Sequence, residues 1–291
     1  MLTTLTNLGH ALLLAVLAQV PIVSSARSGD ASRIKGPRAS TNCGLESGGE
    51  SAVLGVVGPQ TLRLADGRIV RLVEVLVPSR PSLTEGFDPA AAAKDYLQGV
   101  AVGKKVEVKF GGNRRDRYGM VLGHVFVAGP PTLWLQEELI RSGFALAYPQ
   151  ADNHACSEAL IAAEAAARQN KQGHWARAAF KVLRANDPRA LGALTQSYQL
   201  IEGVVDHARE SGGHITLYFA ADEFKGLAAY IEPAARRRLG GFQQIGAWKF
   251  APVRLRGWLD KRRTPTLEIT QAEQIEFLAA PHEAMPTDSA K

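Results

Sequence analysis

The sequence predicts a mainly β fold with added helices (α+β), built as two small β-barrels in tandem. Three observations predict it. Short β-rich runs recur on both sides of a break at Asn186-Asp187-Pro188, an Asp-Gly turn signal joins two of the first, and three helical stretches interleave with the strands before the break. A chain of 291 residues can bury two cores, and 46% hydrophobic against 21% charged residues is ordinary globular composition. With 34 Lys+Arg, 28 Asp+Glu and a net charge of +6, the chain admits a polyanionic partner without demanding one. Two cysteines exclude a disulfide-dense scaffold and a zinc site of four thiolates.

Residues 1–26 carry no Lys, Arg, Asp or Glu, and Ala11–Ala18 is an apolar core followed by Ser24-Ser25-Ala26. This predicts a secretory signal peptide and an exported chain, periplasmic or extracellular. The apolar run is short of the roughly 20 residues a spanning helix needs, so no membrane span is expected after signal removal. Residues 27–50, rich in Ser, Gly, Arg and Lys, are expected to be a flexible leader. Cys43 near its end and Cys156 are candidates for one disulfide in an oxidising compartment; two unpaired thiols are the alternative, since sequence gives no Cα separation.

The first folded unit is expected over 51–176. Gln60–Leu64 and Ile69–Val75 flank Ala65-Asp66-Gly67-Arg68, a hairpin whose turn residues tolerate positive φ. Asp88-Pro89 opens a helix with a capping carboxylate and a proline at its first position. Lys105–Phe110 and Met120–Val127 read as strands, Leu133–Ser142 as a helix stopped by Gly143, and Cys156–Gln172 as an Ala- and Glu-rich helix. Three strands, a helix, two strands and two helices fit an OB-type barrel.

Four segments are specific. Val70-Arg71-Leu72 with Val77-Pro78, then Asp116-Arg117-Tyr118-Gly119, then Leu139–Ala145, then Glu158–Trp175 resemble, in order, motifs of the staphylococcal nuclease-like (thermonuclease) family. The resemblance implies an OB barrel with nuclease-like helices and phosphodiester cleavage in DNA or RNA. In that chemistry two aspartates hold Ca²⁺, a glutamate assists water and two arginines neutralise the phosphate. Carried over by position, the arginine at the start of the strand after the first metal position is kept as Arg71. The two metal aspartates fall on Gln60 and Leu76, the glutamate on Ser79 and the second arginine on Met120. Four of the five positions have lost their chemistry, so catalysis by the family mechanism is expected to be impaired. No cofactor is expected, and Ca²⁺ only if the family activity persists. Glu74, three residues from Arg71 on a strand, is expected on the other face. The seven histidines show no metal-ligand spacing, so no metal site is expected.

Residues 177–189 are expected to be a linker, 190–280 a second OB-like domain and 281–291 a tail. In the second unit Pro252–Leu259 alternates strongly, placing Arg254, Arg256 and Trp258 on one face. With Lys261 and Arg262 they form a candidate nucleic-acid surface, joined on the first unit by Arg71 and Tyr118. The competing reading makes the arginines solvated and Trp258 core. Three functions compete: an exported, impaired nuclease-like protein that binds nucleic acid or another polyanion; an active Ca²⁺-dependent phosphodiesterase with rearranged residues; and a scaffold for an envelope protein partner.

Overall fold

The computed structural model describes residues 43–78, 88–177 and 180–278. The predicted signal peptide, most of the leader, the tail and Ser79 lie outside these residues. Among the described residues no helix is long and apolar enough to cross a membrane.

The first unit is a closed five-stranded barrel. Its strands are β1 (Glu46–Gly58), β2 (Thr61–Leu64), β3 (Ile69–Leu72), β5 (Lys105–Phe110) and β6 (Val121–Val127), with a short β4 (Val75–Leu76) after β3. β1 pairs β5 through Glu46–Ala52 and β2 through Val53–Gly58, with irregular register between Val53 and Gly55. The irregularity bends this long strand around the barrel. Closure comes from the parallel pair β3–β6, in which Arg71 stands beside Leu122. Inward positions are apolar: Leu62, Leu64, Val70, Leu72, Val106, Val108 and Val125 are all buried. Asp88 caps α1 (Pro89–Ala101), accepting from the amides of Ala90 and Ala91. α2 (Leu135–Arg141) follows the short β7 (Leu133–Trp134) and plugs the barrel with Leu135, Leu139 and Ile140, all fully buried.

β8 (Leu146–Ala147) pairs with β4, and α3 (Ser157–Gln169) leads into a 3-10 turn at Gly173–Ala176. Gly143 after α2 has φ 70°, and a Cβ there would stand 2.1 Å from the Gln172 carbonyl oxygen. Only glycine permits that approach of α2 to the segment after α3.

The barrel begins earlier than the sequence suggests. Residues 46–50, expected in the leader, are the first five of β1. They are Glu, Ser, two glycines and Glu, so no hydrophobic alternation betrays them; the ladder to β5 holds them, with Glu50 paired to Lys105.

The second unit also begins earlier than residue 190. β9 (Val182–Arg184), inside the expected linker, pairs in parallel with β10 (Ser197–Val204), and α4 (Pro188–Ala193) lies between them. β11 (His207–Ser211) pairs with β12 (His214–Tyr218). β13 (Ala228–Ile231), α5 (Pro233–Arg238), α6 (Gly241–Gly246), β14 (Pro252–Lys261), β15 (Pro265–Ile269) and β16 (Ile275–Phe277) complete it. The sheet runs β11-β12-β13-β15-β14-β10-β9, with β16 added on β14, and curls as a half-barrel. β13–β15 is a second parallel pair in this sheet and matches β3–β6 in the first unit. Its core gathers Ile201, Ile215, Leu217, Leu255, Leu259 and Leu267.

Candidate functional site

The two units meet face to face. Leu146, Tyr198 and Leu200 form a buried apolar cluster between them, with Leu76, Tyr148, Trp175, Phe180 and Val182 packed around it. Beside it lies a fully buried ion pair. Arg256 on β14 is 0% exposed and donates from Nη1 to both carboxylate oxygens of Glu164 on α3, 3.2 Å each. A second guanidinium nitrogen reaches Glu276. Glu164 also accepts the amide of Ala147 at 2.8 Å, and the Tyr198 hydroxyl donates to the Ala147 carbonyl at 3.1 Å. Burial alone would lower the Arg256 pKa, but Glu164, Tyr198 and Glu276 raise it above the ordinary arginine value. Burial also pushes the Tyr198 hydroxyl up, so it stays a donor. The first unit's own wall of this contact includes His174, fully buried and near Phe144 and Phe180, its pKa depressed to about 4 by burial and then by Arg177.

Further along, the units part to leave a cleft of about 890 Å³. Arg71, Arg115, Arg117 and Tyr118 line it from the first unit, Trp258 and Arg262 from the second, with Tyr148 at the seam. Tyr118 is 77% exposed and Trp258 48% exposed. Arg117 stacks over the Tyr118 ring at 4.9 Å, and the Trp258 indole N–H donates to the Tyr148 hydroxyl at 3.2 Å. Four carboxylates share the cleft: Asp116, Asp152, Asp260 and Glu268. Asp116 is committed to its turn, accepting the amides of Tyr118 and Met120, with Gly119 at φ 83°. Burial, followed by a hydrogen bond with Glu232, holds the Glu268 carboxyl above its usual range. The cleft thus offers aromatic faces and a cationic first wall, without a net excess of positive side chains.

The residues singled out from sequence therefore divide. Arg71, Tyr118, Trp258 and Arg262 come together, and the reading of Trp258 as core is replaced by a half-exposed ring. Arg254 and Arg256 do share the face of Trp258, but they do not reach the cleft. Arg256 is sealed against Glu164, and Arg254 is held by Glu202 (2.6 Å) and Glu276 (3.2 Å). Both guanidinium groups are thus turned to carboxylates, and Arg256 is fully buried, its Nε without a hydrogen-bond partner, away from the cleft. Lys261 is exposed outside the cleft lining. Sequence reasoning missed Arg115 and Tyr148; the cationic run Arg114-Arg115-Asp116-Arg117 was the available signal for the first.

The positions that the resemblance assigns to catalysis have other occupations. The Gln60 side chain brackets β4, donating to the Val75 carbonyl at 3.3 Å and accepting the Val77 amide at 3.2 Å. Leu76 packs into the cluster between the units. Met120 lines a separate shallow pocket beside the Asp66-Gly67 turn. Arg71 alone keeps an open side chain on the cleft. Glu74 is fully buried and turned away from it, donating no carboxylate there. Calcium takes six to eight oxygen ligands rich in carboxylate, and Gln60 and Leu76 do not fit that set. Cys43 and Cys156 are joined by a disulfide, with Cα atoms 5.2 Å apart.

With the barrel, its helices and the Asp116–Gly119 turn in place, comparison with known proteins is decisive for the first unit. Residues 69–177 match the family model described as staphylococcal nuclease homologue. These residues are a staphylococcal nuclease-like domain. The chain is 29% identical over 150 residues to Endonuclease YhcR of Bacillus subtilis (strain 168), covering 50% of this chain and 10% of that protein. It is 29% identical over 126 residues to an uncharacterized endonuclease of Escherichia coli, covering 42% of this chain and 74% of that protein. The aligned region thus spans only a tenth of the first relative. The nuclease-like domain suggests nucleic acid as its class of partner, and Arg71 and Tyr118 are among the residues it presents to the cleft.

Proposed function

We propose that the chain is an exported nuclease-like protein, impaired in the family's catalysis, that binds single-stranded nucleic acid or another extended polyanion in the cleft between two OB-type barrels. The observation that carries this reading is the opposition of Arg71 and Tyr118 to Trp258 and Arg262 across about 890 Å³. Guanidinium groups take phosphates and aromatic faces take bases, an arrangement tolerant of sequence. Impairment is supported by the two amide bonds of Gln60 to the backbone and by the packing of Leu76 against the cluster between the units. The OB reading of the second unit is supported by its sheet order: counting the consecutive β10 and β11 as one bent strand gives the cyclic order of the first barrel. Export is supported by the uncharged, apolar residues 1–26 and by the disulfide.

Fluorescence anisotropy with a labelled single-stranded oligonucleotide at two salt concentrations tests the reading, alongside a cleavage assay with Ca²⁺. Saturable, salt-weakened binding without cleavage is expected. Binding indifferent to salt removes the phosphate contacts, and Ca²⁺-dependent cleavage above a mock purification ends the impaired reading.

A further inference from the structure

Beneath the barrel surface, away from the cleft, side chains from three parts of the first unit converge, and a fourth, Cys43, is tied to one of them. Cys43 precedes β1, Glu74 lies between β3 and β4, His124 is on β6 and Cys156 caps α3. One ligand atom each from Glu74, His124 and Cys156 lies within 4.8 Å of the others, and all three residues are buried. The Cys43 sulfur is bonded to that of Cys156 but is not one of the ligand atoms within 4.8 Å of one another.

We propose that, when the Cys43–Cys156 disulfide is reduced, both thiolates join His124 Nε2 and Glu74 in a four-ligand zinc site. Disulfide and metal are then alternative ties between the start of β1 and α3. Glu74 and His124 are fully buried, and the carboxylate is held in place by the Cys156 amide at 3.1 Å and the Ser157 hydroxyl at 2.7 Å. That is the outer support a metal-ligating carboxylate needs. His124 Nε2 stands 3.2 Å from Glu74 Oε1, yet neither ring nitrogen makes a hydrogen bond. A fully buried imidazole without such a bond is uncommon, and a metal would use its Nε2 lone pair. Glu74 also holds φ 59°, a left-handed backbone that a non-glycine residue keeps only where its surroundings fix it. Two thiolates, an imidazole and a carboxylate form a tetrahedral zinc set, unsuited to calcium. Donors around such an ion stand about 3.3–3.8 Å apart, so Glu74, His124 and Cys156 need shifts of only about 1 Å, and the Cys43 thiol joins them once the S–S bond that holds it is broken.

The chemistry balances with a dithiol reductant. The S–S bond breaks as the reductant gives two electrons and two protons and becomes a disulfide itself. Zinc then displaces the two thiol protons to solvent and binds neutral His124. Sequence spacing conceals the set because no two ligands share an element.

The test uses the full chain, reduced with dithiothreitol, desalted without oxygen and titrated with Co²⁺ as an optical probe, then with Zn²⁺. The reduced protein is expected to bind one equivalent with a thiolate-to-cobalt charge-transfer band that zinc abolishes, and the oxidised protein to give none. His124→Ala and Glu74→Gln are each expected to weaken binding at least tenfold. Zinc is expected to raise the melting temperature of the reduced protein and leave that of the oxidised protein unchanged. No charge-transfer band, an affinity unaltered in both variants, or equal binding by the oxidised protein overturns the proposal. If reduction unfolds the chain, recovery of far-ultraviolet dichroism on adding zinc supports it and failure to recover overturns it.

Discussion

Along β14, Arg256 and Trp258 are two residues apart and point to the same face, yet one is 0% and the other 48% exposed. Arg256 lies where the two units close on Glu164; Trp258 lies where they part into the cleft. The same strand therefore supplies a sealed half and an open half of one contact. Alternation decides which residues share a face. Whether that face meets water, another domain or a ligand is decided by a partner distant in sequence. A row that reads as one basic, aromatic surface is thereby split between holding the molecule together and facing the cleft.

The sharpest way to break this comparison is to strike the sealed half. Glu164→Gln leaves a buried guanidinium without its main counter-charge, and breaking a buried pair from one side costs about 3–5 kcal/mol. Denaturant unfolding is expected to show that loss, while oligonucleotide affinity measured below the transition stays near the parent value. A loss under about 1 kcal/mol means that water reaches Arg256 and that the seam is not sealed.

His174 tests the same half by pH. Its folded pKa of about 4 lies below the ordinary 6.5, so the folded state holds the ring neutral where the unfolded chain would protonate it. Above pH 6.5 both states are neutral and the group contributes nothing to pH dependence. As pH falls from about 6.5 toward 4 the unfolded state takes up the proton first, and up to about 3 kcal/mol of stability is lost. His174→Phe is expected to flatten that limb of the stability profile, as measured by denaturant midpoints at several pH values. A limb of equal depth in the variant assigns the acid sensitivity elsewhere.

Much of the first barrel was legible because its signals are local. The Asp66-Gly67 turn, the Asp88-Pro89 cap and the glycine after α2 each state a backbone requirement within a few residues. The nuclease-like motifs likewise bring Arg71 and Tyr118 to attention. Residues 46–50 were not legible, because a polar edge of β1 held by backbone bonds has no hydrophobic period. Nor was the role of Leu76 or Glu164, since each answers to the second domain: a leucine at a ligand position reads as a loss, whereas here it fills the contact with Tyr198 and Leu200. Arg256 looked like Arg254 and Trp258 for the same reason.

On the open half, Trp258→Ala removes a stacking face and leaves the buried pair untouched. Aromatic–base stacking is worth about 1–3 kcal/mol, so single-strand affinity is expected to fall roughly ten- to hundredfold. Stability is expected to move far less than in Glu164→Gln, because nearly half the ring already meets solvent. If stability collapses and binding does not change, Trp258 belongs to the sealed half after all.

The smallest effect separates phosphate contact from stacking. Arg71 reaches the cleft from β3 without a carboxylate within salt-bridge range among the described residues, so its charge is available to a phosphate. Each phosphate neutralised on a single strand contributes about −0.7 to the slope of log affinity against log salt. With four arginines and four carboxylates around the cleft, the parent slope is expected to be shallow, roughly that of two or three phosphates. Arg71→Ala is expected to reduce the slope by about 0.7 and weaken all sequences alike, whereas Trp258→Ala lowers affinity at an unchanged slope. Anisotropy titrations over a salt series read both quantities. A slope that survives the loss of Arg71 would move the phosphate path to Arg115, Arg117 or Arg262 and leave Arg71 as a solvated face residue of its strand.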